Sequence, residues 1–287
     1  MRARPPGRLL LSESVRAAGG TYLRHRRYRG KGYRSYDEAI IDCHSQGYGQ
    51  EQLAQIVCEK TRRYRDELEA VPVTADLATT AMLLALEHAM AQLDGSRALR
   101  VLDFGGGGGV LYWLVRRYLP AAARLEWSVV ETKTMAAAAV SALAGEEIRF
   151  FASIAEAITE GGPPDLVHSS SALQYVPDPR GLARAFLDTQ VPVLLLTRLA
   201  LAVDGDDVTV VQSSRLSDNG PGPLPLGVRD RVVKYPVTFV TKSWLEQTLA
   251  QRYVIRARFD GPTPPWRVQG RMIGEFGYLA CDERARS

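Results

Sequence analysis

The stretch that decides the fold reads Ala-Leu-Arg-Val-Leu-Asp-Phe-Gly-Gly-Gly-Gly-Gly-Val at residues 98–110. A short apolar run reaches the acid Asp103 and continues into five glycines, and a helical pattern follows at Val110–Tyr118. Glycine lacks a Cβ, so the backbone can turn sharply and a ligand can approach it closely. A strand, a glycine turn and a helix in this order indicate a ligand site beyond the carboxyl end of a parallel strand.

Strands and helices alternate from this loop towards the carboxyl terminus. The predicted strands lie at 125–130, 148–151, 165–170 and 191–201, and the helices between them at 132–143, 154–158 and 179–188. A helix at about 241–251 and strands near 253–259 and 271–281 follow. Such alternation predicts an α/β fold in which helices cover both faces of a parallel sheet.

Residues 35–95 have only helical patterns. Ser35 followed by Glu38 is a capping-box signal, and further helices fit 50–69 and 75–93. These residues are predicted to form an N-terminal helical cap on a domain at 96–287. Within that domain the Gly- and Pro-rich segment at about 204–236 shows no clear period, and it is predicted to be an irregular, lid-like insertion.

Composition limits the class of protein. A hydrophobic content of 46% and a charged content of 24% are typical of globular proteins. Residues 1–34 carry ten Lys/Arg and one acid, so the net charge of +4 comes from a basic arm that we expect to be partly disordered. The three cysteines are far apart in the sequence, which argues against a disulfide framework. His, Cys, Asp and Glu residues do not occur at the spacings typical of a metal site, so no metal is expected. Since no run of about 20 apolar residues occurs, we expect a cytoplasmic protein with no membrane span.

The spacing of the glycines distinguishes between the known types of nucleotide-binding loop. A dinucleotide fingerprint needs a third small residue, but Val110 or Leu111 stands there, and no Gly-Lys-Ser/Thr follows as in a phosphate-binding loop. The pattern acid-x-Gly-x-Gly-x-Gly is complete, with Asp103, Gly105, Gly107 and Gly109. The loop therefore favours a different nucleotide-like cofactor.

A second acid, Glu131, ends the next predicted strand 26 residues after Gly105. A carboxylate offers two acceptor oxygens, which suits the two hydroxyl groups of a ribose. The glycine pattern resembles motif I of class I S-adenosylmethionine-dependent methyltransferases, and residues 98–200 resemble that family in order and spacing. The resemblance implies a Rossmann-like, seven-stranded, mostly parallel sheet. The whole chain also resembles a bacterial methyltransferase-like group encoded near genes for surface-glycan and small-molecule biosynthesis.

The resemblance further implies S-adenosylmethionine as the cofactor and names the residues that would bind it. The glycine loop with Asp103 would hold the amino-acid half, and Glu131 would hold the ribose. At the adenine the family often has an aspartate, so Ser153 or a backbone amide would have to replace it here. The remaining candidates are Ser153 and Ile154 beside the adenine, and Ser169 and Ser170 at the end of the fourth strand.

Two residues are candidates for catalysis. His168 lies inside the fourth predicted strand, and Tyr175 follows it, where the family faces the transferred methyl group. Packing is the alternative role for both side chains. Methyl transfer depends on alignment of donor and acceptor more than on a dedicated base, so a catalytic side chain need not exist.

The predicted function is O- or N-methylation of a small-molecule or glycan-related acceptor. Two alternatives stay open: a nicotinamide-dependent oxidoreductase on the same kind of sheet, and a non-catalytic methyltransferase-like subunit that binds a partner. The basic arm would attract polyanions. Because no recognition fold accompanies it, nucleic-acid binding is not favoured. Homo-oligomer formation is left open.

Overall fold

The computed structural model describes residue 28 and residues 30–43, 50–68, 75–93 and 95–286. The predicted basic arm at 1–34 lies almost entirely outside the described residues. Three helices follow: α1 at Tyr36–Cys43, α2 at Glu51–Leu68 and α3 at Leu77–Met90. They lie where the sequence predicts helices, while the division into a cap and a second domain stays a prediction.

Side-chain caps explain where two of these helices begin. The Ser35 hydroxyl accepts a hydrogen bond from the Glu38 N–H at 3.2 Å, as the capping box predicts, while the Glu38 carboxylate accepts from the Arg34 N–H at 2.8 Å. Asp76 caps α3 by accepting from the Thr79 N–H at 2.8 Å. Caps at Ser35 and Asp76 satisfy donors that a first helical turn leaves without an intrahelical partner.

Ten strands, five more α-helices and three short 3₁₀ helices complete the described chain. The strands are β1 Leu99–Phe104, β2 Leu125–Val130, β3 Ile148–Phe151, β4 Leu166–Ser170, β5 Val193–Ala202, β6 Val208–Arg215, β7 Val232–Phe239, β8 Val254–Asp260, β9 Trp266–Val268 and β10 Arg271–Cys281. The helices are α4 Val110–Arg116, α5 Lys133–Leu143, α6 Ile154–Gly161, α7 Pro179–Asp188 and α8 Lys242–Ala250.

The central sheet has the order β3-β2-β1-β4-β5-β10-β8. The first five strands pair in parallel, and β10 runs antiparallel between β5 and β8. The short β9 pairs with one end of β10, which adds an eighth strand to the seven that the resemblance implies. The predicted α/β, Rossmann-like, mostly parallel sheet is confirmed.

Apolar side chains fill both faces of this sheet. β5 contains the run Val193–Leu196, in which every side chain is at most 1% exposed. Leu195 belongs to one core cluster and Leu194 to the other, because successive side chains of a strand point to opposite faces. An unbroken apolar run is therefore the pattern of a strand that is buried on both sides.

The strand order opens a crevice at the carboxyl ends of the strands. From β1 the chain moves outwards to β2 and β3, and then returns to β4 on the other side of β1. The connections after β1 and β4 therefore diverge, and the space between them can hold a ligand. Phe104 of β1 is in register with Ser169 of β4, so the glycine loop and the residues after β4 start side by side.

The segment 204–236 differs from its prediction as an irregular insertion. β6 and β7 pair along their whole length as a separate two-stranded antiparallel sheet. The run of β-branched residues at Val208–Val211 is a strand signal. The Gly and Pro residues between the two strands made the whole segment look irregular. Pro236 is tolerated in β7 because this strand pairs only with β6, which leaves its other edge unpaired among the described residues. A lid function for this segment stays a prediction.

Membrane, metal and thiol features can be stated for the described residues. None of their helices combines the length and apolar character that crossing a bilayer requires. No group of three or more described His, Cys, Asp or Glu side chains is arranged to hold a metal ion. The cysteines at 43, 58 and 281 are buried and form no disulfide.

Candidate functional site

A cavity of about 1070 Å³ opens where the carboxyl ends of the parallel strands meet. Its walls come from the glycine loop, from the segments after β2, β3 and β4, and from the β6–β7 sheet. The predicted site residues along it are Asp103, Gly105, Gly107, Glu131, Ser153, Ile154, His168, Ser170 and Tyr175. The strand order thus brings residues from four separate strand ends to one cavity.

Gly109 and Ser169, which the sequence predicts to bind cofactor, lie outside this lining. Gly109 precedes α4 with a φ of +76°, and a Cβ at this position would overlap the Ile148 side chain. Its role is close packing of the loop against β3. Ser169 is fully buried, because the alternation that turns Ser170 towards the cavity turns Ser169 to the other face of the sheet.

The glycine pattern follows the backbone conformation of the loop. Gly105 and Gly107 have φ values of +75° and +59°, which glycine adopts without steric cost. Gly106 between them lies against the Asp103 carboxylate, where a Cβ would overlap it. The alternate positions of the pattern therefore mark left-handed residues, and the glycine between them allows the loop to pack onto the sheet.

Asp103 lies beneath the loop and is only 1% exposed. Its Oδ1 is hydrogen-bonded to His168 Nδ1 at 2.8 Å, and its Oδ2 accepts from Trp127 Nε1 at 3.3 Å. Both oxygens are engaged inside the protein. The carboxylate therefore supports the loop from below, which differs from the expectation that it holds the amino-acid half of a cofactor.

His168 is the centre of a buried polar chain. Its Nε2 lies 3.4 Å from Thr197 Oγ1, and the Thr197 hydroxyl donates to Ser170 Oγ at 2.9 Å. Arg198 Nε donates to the same serine oxygen at 2.8 Å, and this end of the chain reaches the cavity. The imidazole borders the cavity but is only 2% exposed. Because both ring nitrogens have partners, the structure does not support the predicted catalytic role of His168.

Glu131 lies at the rim after β2, where two backbone donors fix its carboxylate. Oε1 accepts from the Gly107 N–H and Oε2 from the Thr132 N–H, each at 3.0 Å. Burial raises the pKa of Glu131, although these two hydrogen bonds oppose the shift. A carboxylate has about four lone-pair positions, so two remain for the neighbouring hydroxyl groups of a ligand.

The residues after β3 are tied to each other. Ser153 caps α6 by accepting from the Glu156 N–H at 3.1 Å, and the Glu156 carboxylate accepts from the Ala152 N–H at 2.8 Å. The Ala152 amide is therefore occupied and does not replace the missing aspartate. The hydroxyl proton of Ser153 and the apolar side chain of Ile154 are the groups that this corner offers to a ligand.

Tyr175 stands in the cavity wall after β4. Its hydroxyl donates to Gln212 Oε1 at 3.0 Å, and its ring meets the edge of Tyr235 with centroids 5.5 Å apart. Burial raises the pKa of Tyr175, so the phenol stays protonated near neutral pH. This geometry favours a contact surface for a ligand over a general base.

An aromatic wall lines another side of the cavity, and of its residues sequence reasoning singled out only Tyr175. Its members are Tyr28, Tyr175, Gln212, Tyr235 and Trp266. Gln212 of β6 is directly opposite Tyr235 of β7, and Tyr28 stacks on Trp266 with centroids 6.2 Å apart. The alternation along β6 could have placed Gln212 on an inward face. No sequence signal joins β6, residue 28 and β9, because only tertiary packing brings them together.

The loop after β6 closes part of the cavity, and a buried lysine on α2 anchors it. Lys60 Nζ donates to the carbonyl oxygens of Ser217 at 2.9 Å and Asn219 at 2.6 Å. Lys60 is 1% exposed, and burial lowers its pKa. Because a buried ammonium needs acceptors, it holds this loop against α2. Asn219 and Gly220 then line the cavity.

No protein-family model matches the chain, and no curated protein matches it either. Several solved structures have a similar course of the chain. The magnesium protoporphyrin IX methyltransferase of Synechocystis PCC 6803, with bound SAH, is 13% identical with a TM-score of 0.40, over 94% of this chain and 99% of that one.

Two other solved structures have comparably low sequence identities and TM-scores. An amino pentose methyltransferase from Micromonospora echinaspora, bound to SAM and involved in calicheamicin biosynthesis, is 15% identical with a TM-score of 0.36, over 74% of this chain and 99% of that one. The [4+2]-cyclase SpnF is 14% identical with a TM-score of 0.41, over 69% of this chain and 80% of that one. Likenesses this distant assign no activity to the chain.

Proposed function

We propose that this protein is an S-adenosylmethionine-dependent methyltransferase that acts on a small-molecule or glycan-related acceptor by O- or N-methylation. The observation that carries the proposal is the Glu131 carboxylate, which the Gly107 N–H holds at the rim of a glycine turn. It presents acceptor oxygens to a diol beside a backbone that a ligand can approach closely. The complete acid-x-Gly-x-Gly-x-Gly pattern supports this cofactor over a dinucleotide.

The residues along the sheet edge fit a nucleoside. Neighbouring strands lie about 4.8 Å apart, so a ribose bonded to Glu131 at the end of β2 places an adenine near the end of β3. Ile154 offers apolar surface there, and Ser153 offers its hydroxyl proton. The glycine loop after β1 is the next strand end along the sheet, beside the 5′ side of the ribose.

The aromatic wall fits the acceptor. Tyr175, Gln212 and Tyr235 hold one another through hydrogen bonds of 3.0 Å and 3.4 Å, so the rings are fixed before a ligand arrives. Aromatic faces bury flat apolar surface and position it by ring packing. The wall therefore supports an acceptor with a ring face, such as a sugar or a cyclic small molecule.

The bound cofactor would supply a methyl group activated by a positively charged sulfur. Glu131 and the glycine loop would fix the nucleoside, and the aromatic wall would orient the acceptor. Tyr175 stays protonated because burial raises its pKa, and both ring nitrogens of His168 are already engaged by Asp103 and Thr197. We infer that alignment of the two reactants accounts for the rate, without proton abstraction by either side chain.

Calorimetry of the full chain with S-adenosylhomocysteine and with NADH tests the proposal. We expect S-adenosylhomocysteine to bind and NADH not to bind. Binding of NADH alone would favour the oxidoreductase alternative, and binding of neither would favour a non-catalytic subunit. Transfer of labelled methyl groups from S-adenosylmethionine to a panel of sugars and cyclic hydroxy or amino compounds then tests the activity. Cofactor binding without transfer to any of them would contradict the proposed acceptor class.

A further inference from the structure

Arg198, the sixth residue of β5, is the only Lys or Arg among the described residues that line the cavity. It is exposed in a strand whose other residues are buried. Its Nε donates to Ser170 Oγ at 2.8 Å, and no hydrogen bond or ion pair joins its two terminal nitrogens to another described residue. A guanidinium fork in this state matches the two oxygens of a carboxylate.

The backbone around Arg198 is held in a conformation that is unfavourable for its residue type. Arg198 has a φ of +52°, and Ser171 at the end of the neighbouring strand has a φ of +56°. The Ser171 N–H donates to the Thr197 carbonyl oxygen at 2.9 Å, which ties the two segments together. Left-handed residues other than glycine persist where the surroundings enforce them, and they concentrate at ligand sites.

Two acceptor groups complete this part of the cavity. Asp76 lines it from the start of α3, and only one of its carboxylate oxygens, Oδ1, is used to cap the helix. Burial alone would raise the pKa of Asp76, but hydrogen bonds from Thr79 and the charge of Arg198 lower it. Gln174 also lines the cavity and is 5% exposed, and its Oε1 is buried without a hydrogen-bond partner among the described residues.

We propose that Arg198 and Asp76 bind the amino-acid end of the cofactor. Arg198 receives its carboxylate, and Asp76, with the Gln174 carbonyl oxygen, faces its ammonium group. The inference rests on the proposed function and names the residues that complete its binding site. It replaces the sequence-based expectation for Asp103, whose two oxygens are bonded to His168 and Trp127 beneath the loop.

The direction of the sheet supports this location. A cofactor with its adenine near β3 and its ribose at β2 extends over β1 towards β4 and β5. Each step between strands is about 4.8 Å, and the Arg198 side chain extends from β5 to Ser170 at the end of β4, which brings its guanidinium towards the amino-acid end. An amino acid has one positive and one negative group, and Asp76 and Arg198 supply a partner for each in the cavity wall.

Calorimetry with three nucleosides tests the assignment. S-adenosylhomocysteine has both charged groups, its decarboxylated analogue lacks only the carboxylate, and 5′-methylthioadenosine lacks both. Arg198→Gln removes the guanidinium, and Asp76→Asn removes the charge but keeps a residue that caps a helix. Arg117→Gln is the matched control, since Arg117 is exposed and lies outside the cavity lining.

We expect Arg198→Gln to lower the affinity for S-adenosylhomocysteine by about tenfold or more. The affinities for the other two ligands should stay close to those of the wild type. Asp76→Asn should lower the affinity for S-adenosylhomocysteine and for the decarboxylated analogue, but not the affinity for 5′-methylthioadenosine. If the Arg198 variant changes the affinity for all three ligands equally, or for none of them, the assignment is overturned while the proposed function stands. If the wild type binds none of the three, the proposed function itself fails.

Discussion

Three of the carboxylates that line the cavity, Asp76, Asp103 and Glu131, differ in role because their hydrogen-bond partners differ. Asp103 is buried between His168 and Trp127 and supports the loop. Glu131 is fixed by two backbone donors and keeps lone pairs towards the cavity. Asp76 uses one oxygen to cap α3 and keeps the other. Exposure and hydrogen bonding therefore decide which of these acids can meet a ligand.

Glu131→Gln tests the ribose contact. The amide keeps only one acceptor oxygen, so we expect S-adenosylhomocysteine binding to weaken by about 1–3 kcal/mol. Burial raises the pKa of Glu131, so its carboxylate becomes protonated at a higher pH than that of an ordinary glutamate. The affinity of the wild type for S-adenosylhomocysteine should therefore begin to fall at that higher pH on acidification. Calorimetry between pH 8 and pH 5 measures both effects.

The glutamine variant should not show this loss of affinity at low pH, because it has no carboxylate to protonate. Glu146→Gln serves as the control, since Glu146 is exposed and lies outside the cavity lining. Wild-type affinity in Glu131→Gln, or the same pH dependence in both proteins, would show that the ribose assignment is wrong.

Tyr175→Phe separates an acceptor contact from a base. The phenol is protonated at neutral pH because burial raises its pKa, so its loss should leave kcat within a few-fold of wild type. Loss of the bond to Gln212 loosens the wall, and KM for the acceptor should rise by about two- to tenfold. Steady-state kinetics resolve the two parameters. A fall in kcat of a hundredfold or more would assign proton transfer to Tyr175.

The β6–β7 sheet and α2 together form part of the cavity wall. A Cβ on Gly220 would lie 3.5 Å from Val57 of α2, so the loop between the strands rests directly on that helix. Lys60 adds the polar connection through two carbonyl oxygens. This part of the cavity wall therefore depends on one helix residue that lies far from the loop in sequence.

Lys60→Met tests that connection. Methionine matches the length of the lysine stem but leaves the carbonyl groups of Ser217 and Asn219 without their donor, which we expect to cost about 1–3 kcal/mol. Amide hydrogen exchange in 216–221 should become faster, and cofactor affinity should fall. Arg62→Met on the same helix removes two largely exposed ion pairs, with Glu59 and Asp66, and should leave stability close to wild type. Unchanged exchange in the loop of the Lys60 variant would contradict the anchoring role.

A buried polar chain links four neighbouring strands across the whole molecule. It runs from Trp127 on β2 through Asp103 on β1 and His168 on β4 to Thr197 on β5. These strands carry the glycine loop, the rim and the polar end of the cavity. Their relative positions, and therefore the shape of the cavity, depend on this chain remaining satisfied.

His168→Leu breaks the chain at its centre. It leaves the Asp103 carboxylate buried without its closest partner, and removal of one member of a buried pair costs about 3–5 kcal/mol. For a domain of this size we expect Tm to fall by roughly 5–15 °C in thermal unfolding. His88→Leu is the control, since His88 is half-buried on α3 and bonds only to a carbonyl oxygen one turn away. A Tm within about 2 °C of wild type would contradict the structural role.

The sequence by itself predicted the parallel sheet and the glycine loop that lines the cavity. The unbroken apolar run in β5 and the alternate glycines from Gly105 are local patterns, and each has a local physical cause. Burial on both faces requires the apolar run, and left-handed backbone requires the glycines. Glu131 was predictable because it follows directly from the end of β2.

Only the tertiary structure decided which predicted residues face the cavity and what closes it. Strand alternation turned Ser169 away and placed Asp103 and His168 under the loop. Packing brought Lys60 to the β6–β7 loop and Arg198 to the end of β4. These contacts join residues 28 to 159 positions apart in the chain. A local pattern reports the backbone and burial of its own segment, whereas a binding wall depends on distances between segments that folding alone determines.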